Sequence, residues 1–173
     1  STLYRYHGQV ECGLQMECTN RCYGMLSEAS ENNTLYIGEN FNCGFNVTDP
    51  REQNRDGLHA GGTLTSLQLD NEGPLDLLIG DVSFPNSMAI LMEDAVDGQD
   101  SAIFVDSTFP LNIGGIEALN CQRFPSAYHL DVDDDGVRDL LFSPNTYLET
   151  DDDASVHFLK NTGEDLDPVW SYI

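Results

Sequence analysis

Nine consecutive residues, Asp131-Val132-Asp133-Asp134-Asp135-Gly136-Val137-Arg138-Asp139, place carboxylates at positions 1, 3, 5 and 9 around a single glycine. Acidic groups packed this closely repel one another unless a cation neutralises them. Calcium takes about six to eight oxygen ligands, and an alternating D-x-D-x-D run curls its side chains onto one centre while glycine permits the sharp turn. On this pattern Asp131, Asp133, Asp135 and Asp139 supply carboxylates and Val137 supplies its carbonyl. A solvated acidic turn is the plainer alternative. An EF-hand fits poorly, because its loop closes on a glutamate and runs into a helix. Here the residue at that closing position is Phe142, and the flanks Ser126–Leu130 and Val137–Phe142 read as strands.

Shifting the sequence against itself by 63 residues lays Gln68-Leu69-Asp70-Asn71-Glu72-Gly73-Pro74-Leu75-Asp76-Leu77-Leu78 on Asp131 to Leu141. Glycine, the last aspartate and the Leu-Leu pair coincide, while position 1 becomes Gln68 and position 5 the longer Glu72. Asp70, Glu72 and Asp76 therefore form a weaker candidate set, expected to bind calcium poorly or not at all. Repeats of this length built from short strands point to stacked units, because one unit cannot bury its apolar face alone. Each copy reads as strand, acidic loop, strand, loop, strand: Gly62–Leu69, Leu75–Gly80 and Met88–Met92 in the first, Ser126–Leu130, Val137–Phe142 and Ser155–Lys160 in the second. Ser101–Asp106 and Pro168–Ile173 add outer strands, so four-stranded antiparallel units are predicted.

The run Gly62-Thr-Leu-x-x-Leu-x-Leu-Asp followed by Gly73 and Leu75-Asp-Leu-Leu-Ile-Gly-Asp81 resembles FG-GAP/VCBS-type repeats. So do Phe124-Pro-x-Ala-Tyr-x-Leu-Asp-Val-Asp-x-Asp-Gly-Val-x-Asp-Leu-Leu and Phe158-Leu-Lys-Asn-Thr-Gly163. Such repeats are the β-propeller blades of integrin α chains and of many secreted bacterial proteins, and the likeness covers residues 57–173. Its nearest character is that of surface propellers exported through the type IX pathway, where an opening like Leu58–Leu64 is typical. The Phe-Gly and Gly-Ala-Pro signatures of the repeat are not intact here; the nearest pieces are His59-Ala60-Gly61-Gly62 and Phe124-Pro125-Ser126-Ala127. The resemblance implies an all-β fold divided into residues 1–56, a Cys-rich insertion or cap; 57–120, a blade; and 121–173, a blade with the intact calcium loop. A closed propeller has about four to eight blades. Two blades are thus expected to belong to a larger propeller or to pack on a protein partner.

Thirty acidic residues face seven basic ones in 173, a formal charge of −23, and Lys160 is the single lysine. Nucleic acid is excluded as an expected partner, since phosphate recognition depends on a basic surface. No apolar run suits a membrane-crossing helix. Residues 1–20 lack the charged start and apolar core of a signal peptide, though a signal already cleaved would leave the same sequence. Asp151-Asp152-Asp153 and Glu164–Asp167 read as solvated turns.

Cysteines stand at 12, 18, 22, 43 and 121. The spacing lacks the C-x2-C knuckles of common zinc sites, and an exported, oxygen-rich chain favours oxidation. Cys12, Cys18, Cys22 and Cys43 are the disulfide candidates, in any connectivity, with one of the five cysteines left over. Asn32 and Asn46 lie in N-x-T triplets.

Catalytic patterns are missing. His7, His59, His129 and His157 are scattered, no G-x-S-x-G elbow occurs, and neither glycine pair has the lysine of a phosphate loop. Tyr128, Phe142, Phe158 and Trp170 fall where blade faces pack, so core is expected before a sugar platform. The expectation is a non-catalytic, secreted, calcium-binding propeller segment, serving as scaffold or interaction module at a bacterial surface or in its export machinery. The alternatives are a lectin-like adhesin that binds glycan, and an accessory part of a secreted hydrolase.

Overall fold

The computed structural model describes residues 5–10, 13–17, 24–28, 34–40, 62–94, 100–121, 123–146 and 155–173. Among them all regular structure is β apart from one short 3-10 turn, Gly38–Asn40, and no helix is long and apolar enough to cross a membrane. Strands β1 (Arg5–Val10) and β2 (Gly13–Glu17) form one antiparallel hairpin, and β3 (Leu26–Glu28) and β4 (Leu35–Ile37) another. The remaining strands build two four-stranded antiparallel sheets. The first runs β5 (Gly62–Leu67), β6 (Asp76–Asp81), β7 (Ser87–Asp94), β8 (Asp100–Asp106) in chain order. The second runs β9 (Pro125–Leu130), β10 (Asp139–Pro144), β11 (His157–Asn161), β12 (Trp170–Tyr172), again in chain order. The predicted strands all appear, their ends shifted by only a few residues, and the repeat unit is one such meander.

Side-chain pattern explains which faces are covered. The centre of the first sheet is almost continuously apolar: Leu77-Leu78-Ile79 on β6 and Met88-Ala89-Ile90 on β7. That composition suits strands buried on both sides. One face carries Leu77, Ile90, Met92 and Ala102 and is covered by Leu26, Leu35 and Ile37 of the β3–β4 hairpin. The hairpin is also tied to the edge strand, where the Ala102 N–H donates to the Gly24 carbonyl at 2.7 Å. The other face, with Leu67, Leu78 and Ala89, packs on Leu140, Phe142, Leu159 and Trp170 of the second sheet. Phe109, Leu119 and Cys121 from the connection between the sheets complete this core. Burying one such large side chain contributes about 1.5–3 kcal/mol.

The two sheets meet most closely at their first strands. Thr63 Oγ1 donates to the Pro125 carbonyl at 2.6 Å and Thr65 Oγ1 to the Ala127 carbonyl at 2.7 Å, so alternate threonines of β5 clip onto β9. Gly80 on β6 makes the approach possible: a Cβ there would overlap the Pro125 carbonyl oxygen and crowd Thr63 Oγ1. Asp106 organises the connection that follows the first sheet. Fully buried, it accepts from Thr108 N and Oγ1, from Asn112 N and Nδ2, and from Ile113 N. Burial pushes its carboxyl up, but the hydrogen bonds from Thr108 and Asn112 outweigh that and hold it below the ordinary value.

Cys12, Cys18, Cys22 and Cys43 lie outside the described residues, as does Asp151-Asp152-Asp153. Cys121 is a free thiol, 1 % exposed, and burial pushes its pKa up to about 11. No closed barrel or propeller is formed by the two sheets.

Candidate metal centre

Both acidic loops join the first and second strands of their sheets and share one backbone path. Left-handed residues recur at loop positions 4 and 6: Asn71 (φ 62°) and Gly73 (φ 63°) in the earlier loop, Asp134 (φ 61°) and Gly136 (φ 90°) in the later. Asparagine, aspartate and glycine are the residues that adopt this region at least cost. At position 9 each loop has a fully buried aspartate that staples the loop to the third strand. Asp76 accepts from the Leu69 N–H at 2.8 Å and the Met92 N–H at 2.9 Å. Asp139 accepts from the Val132 N–H at 3.1 Å and the Asn161 N–H at 2.9 Å. The duplication seen in sequence is thus a duplication of hydrogen bonds.

The loops differ where charge gathers. In the later one, Asp131, Asp133 and Asp139 each bring a carboxylate oxygen within 4.8 Å of the others, the single group of this kind among the described residues. This cluster could hold a metal ion. Asp131 also accepts the N–H groups of Asp135 at 3.2 Å and Gly136 at 2.9 Å, which curls the loop around it. Asp135 lies outside the three-residue cluster. It accepts the Val137 N–H at 2.9 Å and, with Asp133, faces the Lys160 ammonium, 3.0 Å from its own oxygen. That ammonium, first through its hydrogen bond, holds the Asp135 carboxyl below its usual value. The carboxylates of Asp133 and Asp135 in turn raise the pKa of Lys160.

The earlier loop does not gather Asp70, Glu72 and Asp76 into such a cluster. Asp70 turns back to accept the Glu72 N–H at 3.0 Å, and Gln68 Nε2 donates to the Glu72 carbonyl at 2.7 Å. A neutral amide therefore closes this loop from position 1. Burial pushes the Asp76 carboxyl up to about 6, against the lowering hydrogen bonds from Met92 and Leu69 and with Asp70 adding to the rise. This folded value lies above the ordinary aspartate value of 3.8. The proton-linked part of the stability at Asp76 is thus complete below about pH 4 and is lost as pH rises through about 6, while the two N–H bonds the carboxyl accepts remain. The expected loss across that window is up to roughly 3 kcal/mol. Urea midpoints measured from pH 4 to 7 should show it, and Asp76→Asn should flatten that part of the slope.

Residues outside the acidic run support the later loop. Asn161 is 1 % exposed and donates through Nδ2 to the Arg138 and Glu164 carbonyls while its Oδ1 accepts from Gly163 and Val169. Asp165, read from sequence as part of a solvated turn, accepts the Arg138 N–H at 2.7 Å and Arg138 Nε at 2.8 Å. Along β11, Leu159 enters the core, Lys160 faces the carboxylates and Asn161 turns inward again, so strand alternation delivers both supports. The Asn-Thr-Gly run after Lys160 was the available sequence signal.

His129 is half-buried, and desolvation, with Arg138 nearby, pushes its pKa down. Among the sequence's aromatic candidates, Phe142 and Trp170 are core while Tyr128 is 50 % exposed. Compared with known proteins, the chain matches no family model, and no curated protein or solved structure is significantly similar to it.

Proposed function

We propose that this chain is a non-catalytic, calcium-stabilised β-sheet module that serves as a scaffold or interaction surface on the outside of a cell, its meanders acting as propeller blades. The observation that carries the reading is the convergence of Asp131, Asp133 and Asp139 within 4.8 Å. An internal cation, Lys160, already stands against Asp133 of that cluster and against Asp135 beside it. An all-oxygen, carboxylate-rich donor set suits calcium or another hard cation. Calcium bound there supplies charge neutralisation and ties loop geometry to folding. Asp131 holds the loop curled through Gly136, Asp139 anchors it to β11, and Asn161 and Asp165 fix the turn beyond.

Calcium at about a hundred times its dissociation constant is expected to stabilise the chain by roughly 2.7 kcal/mol. Differential scanning calorimetry in calcium and in chelator measures this directly. Asp133→Ala should remove most of the difference, and Asp70→Ala little of it. Melting unchanged between calcium and chelator would exclude the calcium reading.

A further inference from the structure

The second sheet has an apolar outer face, and the repeat itself says what kind of surface fits it. Cross-strand register puts Tyr128 opposite Leu141 and Leu141 opposite Phe158, and the Ile173 N–H donates to the Phe158 carbonyl at 3.1 Å. One row of large apolar side chains therefore crosses β9, β10 and β11 and continues to Ile173, just past the end of β12, with Leu130 beside it. Tyr128 is 50 % exposed, Leu130 40 % and Ile173 70 %. Leu141 and Phe158 are half-buried between them, and an apolar row open along this much of its length marks an interaction surface.

The offset of 63 residues maps Thr65, Leu67 and Leu78 onto Tyr128, Leu130 and Leu141. In the first sheet that face is covered: Leu67 is 2 % exposed and Leu78 1 %, beneath the second sheet. The same offset maps Leu77 and Ile79, under the β3–β4 hairpin, onto Leu140 and Phe142, which form the covering face of the second sheet. The packing is thus head to tail. One end of the stack is closed by the hairpin and the other ends in the Tyr128 row. A second copy of the whole chain is a poor occupant, because each carries −23 and its covering-type face already lies under a hairpin.

We propose that this outer face docks a further antiparallel sheet presenting an aliphatic and aromatic face like that of Leu140, Phe142 and Leu159, continuing the same order. The proposal deepens the interaction-module reading and rests on it. Two replacements alter the fit. Ser143 stands where Gly80 allowed close backbone approach, and Tyr128 stands where Thr65 donated its hydroxyl, so the incoming sheet sits closest around Leu130 and Leu141.

Two measurements on the full chain test this. First, Leu141→Glu combined with Tyr128→Lys is expected to cut the binding of an apolar dye such as ANS several-fold while leaving the melting temperature within a few degrees. A large fall in melting temperature would show that the row is internal packing and would overturn the proposal. Second, a copy of residues 121–173 is appended after Ile173, carrying Tyr128→Phe so that its peptides differ in mass. Hydroxyl-radical oxidation of the original Tyr128 is expected to drop several-fold, and to return when the appended Leu140 and Phe142 are both serine. Undiminished oxidation in a folded fusion, or protection already present in the unextended chain, would overturn it. Both are run in calcium and in chelator. Loss of the calcium response with Tyr128 protected counts against the metal reading alone, and the reverse result against docking alone.

Discussion

Asp139→Ala is expected to destabilise the second sheet by about 3–5 kcal/mol and to abolish any response to calcium, whereas Asp76→Ala should cost a similar amount and leave that response intact. Each aspartate is fully buried and accepts one N–H from its own loop and one from the third strand of its sheet. Truncation strands two buried donors at each site, and an unsatisfied buried donor costs about 1–3 kcal/mol. The difference lies in the neighbours. Asp139 shares its surroundings with the carboxylates of Asp131 and Asp133, while Asp76 sits above a loop closed by the Gln68 amide. Paired denaturation curves with and without chelator separate the two contributions. Equal calcium responses in both variants would show that Asp139 is a staple and nothing more.

Gly80→Ala is expected to be nearly as damaging, although it adds one methyl group. Overpacking of this kind typically costs about 1–3 kcal/mol, and more where the obstacle is backbone. Here the added carbon meets the Pro125 carbonyl oxygen, which belongs to a paired strand and cannot swing aside as a side chain could. Relief requires β9 to lift from β6, which would draw the Pro125 carbonyl from Thr63 and the Ala127 carbonyl from Thr65. Urea midpoints should fall, and amide exchange should quicken first in β9. Thr63→Ala and Thr65→Ala should each cost less, because a hydroxyl bond typically contributes about 1 kcal/mol net. A Gly80→Ala protein as stable as its parent would mean the sheets are not seated this closely in solution.

Much of this architecture could be read from the chain, and the reasons are local. Leu77-Leu78-Ile79 and Leu140-Leu141-Phe142 announce strands through apolar content, and the acidic loops announce turns through Asn71, Gly73 and Gly136 at positions that take positive φ. The 63-residue offset survived because loop and strand must keep step for the position-9 aspartate to reach the third strand. Other features depend on residues distant in sequence. Lys160 and Asp165 lie 25 or more residues from the groups they pair with, and only sheet register brings them there. Gly80 looked like any glycine near the end of a strand until the neighbouring sheet was in place. Asp76 and Asp139 were read as ligands because their type and spacing suit a ligand, while their staple role depends on the Met92 and Asn161 amides. Closure into a propeller is not a property of any local pattern, and two sheets do not display it.

Lys160 is the sole lysine of the sequence, so its side-chain amine is also the protein's own chemical reporter. The neutral amine is the form that attacks an acylating reagent and displaces its leaving group, and the raised pKa set by Asp133 and Asp135 keeps that form scarce. A cation taking those carboxylates would release the ammonium, return its pKa toward the ordinary lysine value and speed acylation. A dye, biotin or surface that does couple to the lysine side chain would sit on the acidic loop itself. Such a label would remove the positive charge that balances the loop and alter the site it was meant only to carry, so immobilised protein should be attached elsewhere.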